Sequence, residues 1–245
     1  MLEIVVIGIG SGNPEHMTIE AVRALNSADL VLIPRKGEAK SDLADLRREI
    51  CARYLENRAT RLVDFEMPVR ETGAGYRQGV DAWHRAIAER YRGLLDGVEG
   101  VAALLVWGDP SLYDSTLRIL DILAKGGLVF TRRIVPGITS LQALAAAHGV
   151  PLNTVGGAVH VTTGRRLRQG APEADSVAVM LDGDNAFLET PTEGVTIYWG
   201  AYLGMPDEIL IAGALADVAE RIAEVRAKAR AEHGWIMDTY LLRRS

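Results

Sequence analysis

The chain has 245 residues, 48% of them hydrophobic and 24% charged, and a net charge of -5. That length holds one large domain or two ordinary ones with a substantial core, and the acidic balance offers no basic excess for a nucleic-acid partner. The single cysteine, Cys51, excludes an internal disulfide and fits a reducing cytoplasm.

The five histidines, at 16, 84, 148, 160 and 233, show no metal-ligand spacing with cysteine or acidic residues, so no metal is expected. No apolar run approaches the length of a membrane span. The Met1-Leu2-Glu3 start runs straight into a strand rather than a secretory leader. The expected setting is the cytoplasm, without a membrane partner.

Strand and helix patterns alternate. Strands are predicted at 2–9, 29–34, 60–65, 101–107, 128–135, 157–163, 176–182, 195–200 and 236–242. Thr18 is expected to cap a helix with Ile19, Val22 and Leu25 on one face. Thr139 caps another, through Leu141, Leu144 and Ala145, which stops at Gly149 with Pro151 beyond. The segment from Asp217 to Glu232 repeats Val218, Ile222, Val225 and Ala229 and ends at Gly234, with Glu224 and Lys228 paired one turn apart. The fold class is α/β, with parallel or mixed sheets covered by helices. A helix over 115–125 ends in Gly126-Gly127, after which Thr, Gly and β-branched residues are used more heavily. Two domains, 1–115 and 116–245, are expected, with a ligand cleft between them.

The most informative segment is Val101 to Thr116. An unbroken apolar run ends at Gly108-Asp109-Pro110, so a strand buried on both faces leads into a loop at its carboxyl edge, where open sheets bind ligands. Gly108 permits close backbone approach, Pro110 stiffens the turn, and Asp109 and Tyr113 offer polar groups. A plain strand-to-helix turn uses the same chemistry. The opening Gly8-Ile9-Gly10-Ser11-Gly12-Asn13-Pro14 also follows a strand and precedes a helix. It departs from the dinucleotide fingerprint, because Asn13 stands at the third glycine and Pro34-Arg35-Lys36, not an acid, ends the second strand.

No Ser elbow and no Cys or His nucleophile pair is visible, and no Walker loop is present. Methyl transfer from a sulfonium asks for less, since the leaving group is a neutral thioether and rate comes from in-line proximity and exclusion of water.

Four segments in order resemble the tetrapyrrole methylases, which use S-adenosylmethionine to build corrins and sirohaem. They are Val6–Pro14 with Thr18, Gly108–Tyr113, Val135–Ser140 with Gly149–Leu152, and Gly213-Ala214-Leu215. Ser11 and Asn13 stand where the family usually has Pro and Asp, and Asp114 where Gly is usual. Within the family, Trp107–Thr116 and Pro136–Asn153 are similar to the branch that removes an acetyl unit as it methylates.

The resemblance implies two α/β/α domains with an interdomain cleft, a homodimer, and S-adenosylmethionine as methyl donor. It implies precorrin-5 as substrate, methylated at C1 with release of acetate. It implies donor contacts from Gly108, Asp109, Tyr113, Ser115, Thr116, Thr139, Ser140, Met180, Leu181, Gly213 and Ala214; for Met180 and Leu181 a plain core role is the alternative. A substrate bearing many carboxylates calls for local basic groups, for which Arg35, Lys36, Arg165, Arg166 and Arg168 are the candidates, with Gly10 and Ser11 from the opening loop. Tyr113, Asp114, Asp182 and Asp184 are candidates for the deacylation, although a solvated turn is the plainer reading of Asp182 to Asn185. Rival readings are another methylase of the family, an NADP-linked oxidoreductase built on the first glycine loop, and a tetrapyrrole carrier without turnover.

Overall fold

A computed structural model describes residues 1–35, 41–70, 76–170 and 172–244. The chain runs β1 (Leu2–Gly8), α1 (Ile19–Asn26), β2 (Leu30–Arg35), α2 (Ser41–Tyr54), β3 (Arg61–Glu66), α3 (Tyr76–Leu95), β4 (Gly100–Val106), α4 (Thr116–Lys125) and β5 (Phe130–Val135). It continues through α5 (Ser140–His148), β6 (Val159–Thr163), α6 (Gly164–Leu167), β7 (Ser176–Met180), β8 (Val195–Ala201), β9 (Ile209–Ala214), α7 (Leu215–His233) and β10 (Asp238–Arg244). Two compact units result: Met1–Gly10 with Pro14–Ile138, and Ser11–Asn13 with Thr139–Ser245.

The first unit is built on a five-stranded sheet in the order β3-β2-β4-β1-β5, all of it parallel. Both faces are covered, which is why its central strands read as continuous apolar runs. Ile4 and Val6 point to a core shared with Ile87, Tyr91 and Leu95 of α3 and Leu120 and Leu123 of α4. Val5 and Ile7 point the other way, to Ala21, Ala24 and Leu25 of α1 and Ile50 and Cys51 of α2. Full burial of each large aliphatic side chain contributes about 1.5–3 kcal/mol, so this sheet is the rigid base of the unit.

The connections from β1 and β4, which are neighbours, leave in opposite directions across the sheet. Their carboxyl ends therefore flank a topological switch point, where open α/β sheets accommodate ligands. Beyond Leu32 and Leu104 the pairing of β2 with β4 stops. The Arg47 guanidinium of α2 serves the Leu105 carbonyl there, at 2.9 Å. Burial lowers the Arg47 pKa to about 10, against the opposing influence of Tyr91 and Asp114.

The second unit has a mixed sheet, β6-β7-β10-β8-β9, in which only β6 and β7 run parallel. A Cβ on Gly200 would meet Leu144 of α5 at 2.9 Å, so α5 covers the Gly200 face. Trp199, on the opposite face, donates its indole N–H to Asp238 at 2.9 Å. Asp238 is also held by Arg226 of α7 at 2.9 Å, with both side chains buried. The Arg226 guanidinium further donates to the Asp182 carbonyl at 2.6 Å, and the Tyr240 hydroxyl donates to the Asp182 carboxylate at 2.7 Å.

The structure differs from the sequence reading in several places. The division falls after Ile138 and not near residue 115, because β5 hydrogen-bonds to β1 and carries α4 with it into the first unit. Strand β9 was not expected; Gly213 and Ala214 are weak strand formers, and pairing with β8 supplies what propensity lacks. Thr18 does cap α1, accepting from Ala21 N at 3.0 Å. The buried face there is Ala21, Ala24 and Leu25, with Ile19 73% exposed. In α7 the ion pair of Lys228 is with Glu232 rather than Glu224, at 3.9 Å.

Candidate functional site

The loops after β1, β4 and β5 in the first unit meet backbone to backbone, which only glycine permits. Gly10 and Gly108 form a bridge, with Gly108 N donating to Gly10 O at 2.8 Å. A Cβ on Gly137 would lie 2.2 Å from Gly108 O, and one on Gly8 would lie 2.6 Å from Gly137 N. Gly10 and Gly108 both adopt positive φ, 80° and 67°. These glycines, for which both close backbone approach and plain turn chemistry are open in the sequence, build a cradle of closely packed main chain at the switch point.

Asp109 locks that cradle. One carboxylate oxygen accepts from Gly137 N at 2.8 Å, and the other from Ser111 N at 2.7 Å and from the Ser111 hydroxyl. Burial works against its charge, but the hydrogen bonds from Ser111 and Gly137 prevail and hold the carboxyl below its usual pKa. Its side chain is thus committed to the protein. Tyr113 follows with φ of 51° and remains 44% exposed. A positive φ is uncommon for a bulky residue and marks a position held against local strain.

Asp114 serves the helix: its carboxylate accepts from Thr116 N at 2.6 Å and its carbonyl from Arg118 at 2.7 Å. Thr116 is buried. Ser115 is the N-cap residue of α4, and its hydroxyl pairs with His84 Nε2 of α3 at 2.9 Å. No sequence spacing announced that pair.

In the second unit Thr139 caps α5 as expected. Its hydroxyl receives Gln142 N, and the Gln142 side chain accepts from Thr139 N at 2.7 Å, a full capping box. Ser140 begins the helix. Leu181, beyond β7, has φ of 53° and is 65% exposed, which overturns the core alternative for it. Gly213 and Ala214 lie elsewhere. Met180 is level with Gly200 and Leu210, whereas Gly213 is level with Ile197, Leu242 and Val177, three strands away and toward the other end of the sheet. The edge at Met180 is shared instead with Ala201 and Tyr202, the latter also at positive φ, 51°. Sequence reasoning missed this turn, whose signal was a small residue ending an apolar strand. A Cβ on Gly12 would meet Leu203 O and Met205 at 2.6 Å, so the Ser11–Asn13 piece of the opening loop lies against that same turn. Ser11 is buried.

Asp182 is not a solvated turn residue. It is 6% exposed and receives Ala186 N, Asp184 N and Tyr240, so its carboxylate is engaged in holding the second unit together. Of the basic candidates, Arg168 is taken by Asp184 and Glu189 at 3.1 and 3.0 Å. Arg35 is exposed beside Glu66 at 3.8 Å. Arg165 and Arg166 are exposed on α6, with Arg166 bonded to Gln169. Lys36 lies outside the described residues.

Among the described residues no group of three or more His, Cys, Asp or Glu side chains is placed to hold a metal ion, and no helix is long and apolar enough to cross a membrane. In the first unit, main chain packed closely through glycine at the switch point, with Tyr113 exposed beside it at strained φ, fits a small organic ligand at the carboxyl edge of the sheet.

Comparison with known proteins agrees. The profile of the tetrapyrrole (corrin/porphyrin) methylases matches residues 3–219. A precorrin-6A synthase [deacetylating] from Sinorhizobium sp is 54% identical over 250 aligned residues, covering 100% of this chain and 96% of the relative. The crystal structure of a cobalamin-synthesis-related protein (CobF) from Corynebacterium diphtheriae superposes with a TM-score of 0.86 at 37% identity, covering 100% of this chain and 99% of that one. A uroporphyrin-III C-methyltransferase from Thermus thermophilus, solved with S-adenosyl homocysteine, shares the fold with a TM-score of 0.63 at 20% identity, covering 98% and 92%.

Proposed function

The chain belongs to the tetrapyrrole (corrin/porphyrin) methylases, and from that premise we propose that it is an S-adenosylmethionine-dependent C-methyltransferase of cobalamin biosynthesis. It methylates precorrin-5 at C1, releases acetate and yields precorrin-6A. The observation that carries the reading is the 54% identity across the full length of both chains to a precorrin-6A synthase [deacetylating]. Family membership displaces the oxidoreductase reading of the opening loop.

The donor supplies a methyl group on a sulfonium sulfur and departs as a neutral thioether. This chain's part is to hold and align. Gly108 offers backbone at the switch point, Asp109 fixes the loop that carries it, and Tyr113 presents its ring. Ser115 and Thr116 contribute through their backbone, since one hydroxyl is engaged by His84 and the other side chain is buried. Thr139, Ser140, Met180 and Leu181 are the donor contacts of the second unit; Gly213 and Ala214 are set aside because of their register. Arg35, Arg165 and Arg166, with Gly10 and Ser11, receive the substrate. The protein acts in the cytoplasm as a homodimer.

The test is incubation of purified protein with precorrin-5 and methyl-labelled donor, counting labelled product and acetate together. One of each per turnover is expected. Methylated product that keeps its acetyl group defeats the deacetylating assignment and leaves the family standing. Light scattering of the purified protein reads the dimer.

A further inference from the structure

The pairing of His84 with Ser115 joins two groups 31 positions apart. Their setting is specific. Ser115 lies two residues beyond the exposed ring of Tyr113, at the switch-point end of β4, and is itself only partly covered. It is the N-cap of α4, a ten-residue helix whose first N–H, that of Thr116, is taken by the Asp114 carboxylate, so the Ser115 hydroxyl is left to His84. His84 is 6% exposed on α3. The charged groups around the imidazole are Asp81 on its own helix, Asp114 in the loop and Arg118 on α4. Burial, the largest influence, keeps the ring neutral, so Nε2 is able to accept a proton.

We propose that Ser115 and His84 form the acyl-transfer dyad that removes the acetyl unit. A hydroxyl within hydrogen-bond reach of a neutral imidazole is the arrangement that activates a serine nucleophile. This extends the function proposed above and rests on it.

The steps balance. Ser115 Oγ adds to the acetyl carbonyl carbon as its proton passes to His84 Nε2. The developing oxyanion lies near the first turn of α4, where Thr116 N is already held by the Asp114 carboxylate, so the helix dipole beyond that residue and not the Thr116 N–H is what favours it. The carbon–carbon bond to the macrocycle then breaks, and its electron pair enters the conjugated ring, leaving the electron-rich carbon that methyl transfer requires. Water, deprotonated by His84 after that ring has released its first proton to solvent, cleaves the Ser115 acetyl ester. Acetate leaves and the hydroxyl is restored. One water is consumed, and no oxidant or reductant is needed. Deacylation thereby prepares the nucleophile for methylation.

Ser115→Ala and His84→Gln test the dyad. The glutamine amide still bonds the Ser115 hydroxyl but cannot act as its base, which separates catalysis from support of the loop. Acetate release from precorrin-5 should fall by roughly 100-fold in each variant, with the loss in kcat rather than in the donor KM. Separately, wild-type protein mixed with 4-nitrophenyl acetate should release a burst of one equivalent of nitrophenolate, with the acetyl group trapped by rapid acid quench on the peptide containing Ser115, and His84→Gln should slow that burst. Acetate release by either variant within a few-fold of wild type overturns the dyad, as does acetylation only at other residues. Failure of wild-type protein to methylate precorrin-5 would count against the proposed function, whereas the ester labelling reads the dyad without it.

Discussion

Asp109 Oδ2 accepts the backbone N–H of Gly137 at 2.8 Å, tying the loop after β4 to the loop after β5. Both loops stand at the carboxyl edge of the same sheet, so one carboxylate sets the geometry of the cradle. Asp109→Ala should leave Gly137 N and the Ser111 groups without their acceptor. The expected cost is about 1–3 kcal/mol in unfolding free energy, with a parallel loss of S-adenosylhomocysteine affinity. Urea titration and calorimetry measure the two; unchanged affinity would detach Asp109 from the donor loop.

The glycine cradle makes a sharper prediction. A methyl group at Gly137 would be forced to within 2.2 Å of Gly108 O. Gly137→Ala should therefore destabilise by about 3 kcal/mol, the upper range for overpacking. Gly93, exposed in α3 with nothing within 4 Å of an added Cβ, should behave in the opposite way. Gly93→Ala is expected to stabilise by about 0.5–1 kcal/mol. Urea midpoints that move the same way in both variants would contradict the argument.

In the second unit, Arg226 and Asp238 form a buried pair that also anchors Trp199 and the Asp182 turn. Removing one partner strands the other charge. Arg226→Met should cost about 3–5 kcal/mol, and adding Asp238→Asn should recover part of it. A double-mutant cycle with additive losses would show that the pair is not coupled.

His84 predicts an acid sensitivity. Burial lowers its pKa from 6.5, against the raising influence of Asp81 and Asp114. The folded chain thus binds this proton less readily than the unfolded chain. Stability tied to His84 is intact above pH 6.5 and declines as the pH falls below it, toward the lowered folded value. His84→Gln lacks that contribution, so its stability should decline less steeply between about pH 7 and about pH 5. Parallel curves for the two proteins would refute this.

Local chemistry was legible in the sequence. The caps at Thr18 and Thr139 and the left-handed Gly149 and Gly234 stand where their residue types demand. The Gly108 loop follows its strand as the apolar run implies. What depends on distant pairing was not legible. Strand β5 looks like the start of a second domain until its register with β1 is known. Asp182 reads as a turn residue because Tyr240 and Arg226 are some 58 and 44 positions away. Gly213 read as a helix lead-in because Gly and Ala carry almost no strand signal of their own. The backbone features at Gly108 and the cap at Thr139 were legible, and so was Ser115 as a residue of interest, but its pairing with His84 was not, because two helices bring it about.

Cys51 gives the molecule a built-in reporter. It is the chain's one cysteine, buried between α2 and the sheet, and burial pushes its thiol pKa up to about 11. In the closed state such a thiol is inert to alkylating reagents, because neither access nor thiolate is available. Whatever rate of labelling is seen must come from excursions that lift α2 away. Timed mass spectrometry on unmodified protein would then weigh how firmly this layer is fastened, with and without donor, and no engineered probe would be required.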